Sequence, residues 1–90
     1  MQHEISLLDD HFSADEANEI LLGIYKSKIQ FHKIKNLSST VRNGVSDEVA
    51  IKRIEDLNKS VEKLTEIIET AKQSKGKLVI KSALNISLFA

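Results

Sequence analysis

The chain has 90 residues, 41% hydrophobic and 29% charged, with no net charge. That length holds one domain with a thin core, and the composition excludes an intrinsically disordered chain. The absence of Cys excludes disulfides, thiolate zinc sites and a Cys nucleophile, and zero net charge gives no general attraction for a polyanion.

No apolar run approaches the ~18 residues that a membrane-spanning helix needs. The opening MQHEISLLDD has neither a basic n-region nor a long apolar h-region, so a cytoplasmic protein is expected. Ile5 and Leu7 alternate with polar residues and predict a short strand over residues 3–8. Ser13 followed by Glu16 has the form of a capping box, and Asp15, Glu16 and Glu19 suit the positive end of a helix dipole.

From residue 14 to about 43 the pattern is helical. Ala17, Ile20, Ile24, Ser27, Phe31, Ile34, Ser38 and Val41 step alternately by 3 and 4, a heptad seam with two serines in it. Asn43-Gly44 is a strong signal for a two-residue turn between strands. The apolar period on both sides is helical, however. The pair is therefore read as a turn between two helices, over residues 43–46, where a left-handed Gly or Asn closes the first helix.

The second helix is predicted over residues 47–75. Ser46 supplies a cap, with Asp47 and Glu48 in the first turn, and Gly76 supplies a left-handed residue at the far end. Ala50, Ile54, Leu57, Val61, Leu64, Ile68 and Ala71 form its seam. Residue numbers that sum to 88 pair the two seams: Ile20 with Ile68, Ile24 with Leu64, Phe31 with Leu57, Ile34 with Ile54. The midpoint is Gly44, as an antiparallel hairpin requires. Residues 77–89 then alternate, with Leu78, Ile80, Ser82, Leu84, Ile86 and Leu88 on one face, and predict a second strand antiparallel to the first. The fold class is α+β, mainly α: a single domain over residues 1–90, made of a long antiparallel helical hairpin flanked by short terminal strands, in the order β-α-α-β.

Two helices of this length joined by a tight turn resemble in outline the small secreted WXG proteins. Here the turn is Arg42-Asn43-Gly44-Val45, there is no Trp, and the ends read as strands. The resemblance therefore implies nothing about function.

No nucleophile elbow, phosphate-cradling Gly loop or HExxH occurs, and His3, His11 and His32 match no ligand spacing. No catalytic, metal-binding or cofactor-binding residue is expected. A protein interface is. Leu22, Tyr25 and Ile29 recur at i, i+3 and i+7, away from the seam, where the terminal strands or another chain would cover them. The second strand is predicted longer than the first, so Leu84, Ile86 and Leu88 would lie on an open edge. Both features predict a homodimer. A second geometry runs through helix 2, whose Ile or Val and Leu positions favour a parallel two-stranded coil.

The charges are segregated. Residues 1–19 hold only acids and residues 20–46 only bases. Lys28, Lys35 and Arg42 recur every seven residues, and the expectation is ion pairing with Glu55, Glu62 and Glu69 of helix 2. The alternative is contact with nucleic acid through that stripe, disfavoured because no aromatics interleave for base stacking. The functional expectation is a non-enzymatic protein–protein interaction or scaffold module, homodimeric, with no cofactor.

Overall fold

Ser13 starts the first helix as the sequence requires. Its hydroxyl accepts the Glu16 N–H at 3.1 Å, and the Glu16 carboxylate accepts the Ser13 N–H at 2.9 Å. In the computed structural model, which describes residues 2–88, four elements follow from such signals. They are β1 (Gln2–Phe12), α1 (Ala14–Asn43), α2 (Glu48–Ser74) and β2 (Leu78–Ser87). The described residues are 66% helical, a helical hairpin with a two-stranded antiparallel ribbon at its open end. Phe89, included in the predicted second strand, lies outside the described residues.

Gly44 ends α1 in the left-handed region, at φ 68°, and its N–H donates to Thr40 O at 2.9 Å. Two side chains of α1 then tie down the turn. The Asn36 Oδ1 accepts the Asp47 N–H at 2.8 Å, and the Ser39 hydroxyl donates to Val45 O at 2.8 Å. Asp47, rather than the expected Ser46, caps α2 by accepting the Ala50 N–H at 3.0 Å. At the far end Lys75, rather than Gly76, takes the left-handed conformation, at φ 56°, while the Gly76 N–H reaches Ala71 O.

β1 is longer than its sequence pattern. It runs to Phe12 because the alternation changes phase at a bulge between Ser6 and Leu8. Below the bulge Ile5 faces Leu84 and His3 faces Ile86; above it Leu8 faces Ser82 and Phe12 faces Leu78. The bulge thus puts Ile5, Leu8 and Phe12 on one ribbon face with Leu78, Ile80, Leu84 and Ile86. Glu4, Asp9, Asn85 and Lys81 share the other face. The two strands have 11 and 10 residues, so the expected overhang of the second strand is absent.

The core is thin. The buried hydrophobics among the described residues are Ala14, Ala17, Ala50, Ile68 and Ala71. Ala14, Ile68 and Ala71 cluster at the open end, with Leu78 packed against them. Along α2 every seam residue from Ala50 to Ala71 is buried or half-buried, as its pattern predicts.

α1 follows its predicted seam only in its first half. Phe31 is 60% exposed, Ile34 54% and Val41 75%. They are not seam knobs, and the pairs Phe31–Leu57 and Ile34–Ile54 do not hold the hairpin. The half-buried residues there are instead Tyr25, Ile29, His32, Asn36 and Ser39. A straight helix drifts about 20° per heptad from a strict seven-residue seam. Over three heptads that drift amounts to about 60°, and the polar anchors Asn36 and Ser39 hold the remainder of the turn by fixing their own face inward.

Replacing Gly44 by Ala forces a Cβ into a left-handed residue and should cost about 1 kcal/mol. Asn36→Ala removes the bond to the α2 cap and should cost about 1 kcal/mol. Urea unfolding followed by circular dichroism measures both; an Asn36→Ala midpoint equal to wild type would show that the anchor contributes nothing.

Candidate interaction surfaces

Among the described residues three apolar surfaces are left uncovered. The first is the cleft between ribbon and hairpin, about 520 Å³, lined by Leu7, Leu21, Tyr25, Leu64, Ile67 and Leu84 among others. The second is the ribbon beyond the bulge, where Ile5, Leu84 and Ile86 are exposed and Leu88 is 79% exposed. The third runs along the outer side of α1 and into the turn: Phe31, Ile34, Leu37, Val41, Val45 and Val49, all exposed.

Of the interface residues expected from the sequence, Leu84, Ile86 and Leu88 are exposed on the ribbon or just beyond it. Leu22, Tyr25 and Ile29 are half-buried. Tyr25 lines the cleft beside Leu64, and also a small recess with His32, Arg53 and Leu57; Ile29 lies beside Asn58. These two therefore face α2 rather than projecting away from it. The outer stripe belongs to Phe31, Ile34 and Val41, which the heptad pattern had placed in the seam. The legible signal was the polarity of Asn36 and Ser39, which suits a turn anchor.

The bases of α1 are distributed differently from expectation. Among the described residues the ion pairs within 4 Å are His11–Asp10, Lys52–Asp56 and Lys72–Asp15. None joins Lys28, Lys35 or Arg42 to Glu55, Glu62 or Glu69, so the expected interhelical pairing is not formed. Lys28 reaches the cleft. The Lys35 ammonium sits 5.9 Å from the Phe31 ring centroid, and His32 meets the same ring edge-on at 5.2 Å. Arg42 lies in the last turn of α1.

Among the described residues no group of three His, Asp or Glu side chains is arranged to hold a metal. No helix among them is long and apolar enough to cross a membrane. No family model, curated protein or solved structure matches the chain.

The electrostatics of the open end centre on Glu16. Its carboxylate is held below the ordinary Glu value, first by the Ser13 backbone N–H and then by the Ser13 hydroxyl. A carboxylate with a depressed folded pKa stabilises the fold above its unfolded pKa, and that contribution fades as pH falls through the folded value. Glu16→Gln should therefore lower the melting temperature most at neutral pH. The gap to wild type should narrow between roughly pH 5 and 3. Parallel melting curves across that range would remove Glu16 from the acid response.

Proposed function

We propose that the chain is a non-enzymatic protein–protein interaction module that works as a homodimer. The observation that carries this reading is surface area. A compact monomer of 10.1 kDa has about 5,300 Å² of accessible surface. This chain has 7222 Å². The excess is about 1,900 Å². Covering all of that excess in both chains would bury about 3,800 Å², in the range of obligate homodimers. Shape supports the same reading: the radius of gyration is 16.4 Å, against about 12 Å for a compact domain of this length.

A second reading is contact with nucleic acid through Lys28, Lys35 and Arg42. It draws on one observation, that among the described residues none of the three has an acidic partner within 4 Å. Phosphate contact would make affinity fall steeply with salt. The dimer reading accounts for both the apolar area and the charges, and is preferred.

Light scattering at micromolar concentration should return twice the 10.1 kDa chain mass. A monomer mass would overturn the homodimer. A gel shift with duplex and single-stranded DNA at low and high salt separates the second reading; strong, salt-sensitive binding would favour it.

A further inference from the structure

The outer side of α1 carries an unusual line of residues. Ile20, Gly23, Ser27, Phe31 and Ile34 follow one another by 3 or 4 and therefore share one face. From Gly23 to Ile34 this face is exposed, while the inward face at the same levels carries Tyr25, Ile29 and His32; Ile20 at its start is half-buried, and Ser27, Phe31 and Ile34 border a recess that reaches Asn58 of α2. Gly23 and Ser27 are exposed, and a Cβ added at Gly23 would meet nothing within 4 Å. A flat, small-residue patch thus sits directly beside a projecting, exposed Phe31 and Ile34.

We propose that a second copy of this chain docks here, α1 against α1, antiparallel about a two-fold axis at Ser27. The inference rests on the homodimer reading and names its interface. In this register Phe31 of each copy lies over Gly23 of the other, Ile34 lies over Ile20, and Ser27 meets Ser27. The projecting half of the stripe fills the flat half, as an isologous interface demands.

Charge points to the same arrangement. The first turns of α1 carry Asp15, Glu16 and Glu19, and the second half carries Lys33, Lys35 and Arg42. Antiparallel packing sets the acidic end of each helix beside the basic end of the other, whereas parallel packing would set like against like. Glu19 and Lys33 are 14 residues apart, about 40° around the helix, so they flank the stripe on the same side. A two-fold axis perpendicular to the helical layer preserves that side and brings Glu19 of one copy near Lys33 of the other. Lys33, which meets no acid within 4 Å among the described residues of its own chain, would find one on the partner's α1.

The chain has no Cys, which makes the register directly testable. Helix axes in close packing are about 8–10 Å apart, which leaves facing Cα atoms roughly 4–5 Å apart. A disulfide spans that distance. Oxidised Ser27→Cys should run as a covalent dimer on a non-reducing gel, while Lys63→Cys on α2 stays largely monomeric. Phe31→Asp should give a monomer mass with unchanged helical content, because Phe31 is exposed in the single chain. Lys33→Glu should raise the dimer dissociation constant on the order of tenfold, and adding Glu19→Lys should restore it. If the reduced proteins are dimers but Ser27→Cys does not cross-link, this interface is wrong and the homodimer stands. If wild type is a monomer, both fail. If Phe31→Asp remains a dimer, or Lys33→Glu weakens DNA binding and leaves the dimer mass untouched, the stripe has another role and the proposal falls.

Discussion

A core built mostly of alanine governs this structure. Ala17 is fully covered, and Ala14, Ala50 and Ala71 are buried with it. Small side chains let α1 and α2 lie close, but each contributes little apolar area to the core. Ile68, 3% exposed, is the one large side chain that is buried among the described residues. Burying a side chain of that size yields about 1.5–3 kcal/mol, far less than the conformational entropy of ordering a 90-residue chain. The rest of the apolar surface is half-covered or bare, and that deficit is why a partner enters the functional reading at all.

Polar devices stand in where the core is thin. The capping box at Ser13, the Asp47 cap, and the Asn36 and Ser39 bonds to the turn fix both ends of the hairpin without burying a large residue. They set its geometry more than they stabilise it, since each hydrogen bond contributes about 1 kcal/mol net. Asn36 matters in particular. By drawing one polar face of α1 toward α2, it leaves the opposite, apolar face outward. The stripe at Phe31 and Ile34 is therefore a consequence of how the turn is anchored.

The hairpin and its hinge were legible because Gly44 and the two periodic seams report on local geometry. The α2 seam was legible for the same reason. Two features were not. The phase change at Leu7 breaks period 2, so residues 9–12 looked unlike a strand although they pair with residues 78–81. The rotation of α1 depends on Asn36 meeting Asp47, 11 residues away, and no periodicity encodes that. The expected positions of Tyr25 and Ile29 follow from the second. Tyr25 and Ile29 were placed outward and Phe31 and Ile34 inward, which is the result of a helix turned by more than one residue step of about 100°.

The two helices differ in how they meet their own charges, and this decides which of them is the better partner surface. On α2 the acids and bases are interspersed, and Lys52 meets Asp56 at 3.2 Å within the same helix. Such a face is satisfied in water and has little to gain from a neighbour. On α1 the acids sit at one end and the bases at the other, too far apart to neutralise each other within one helix 30 residues long. The apolar stripe lies between them. Its Ile or Val and Leu pattern would let α2 form a parallel coil, but a parallel pair of α1 helices is opposed by its charges along the whole length. Only an antiparallel pair satisfies the charges and covers the stripe in one step, so the segregation of charge along a chain with no net charge supports a single orientation for the proposed partner.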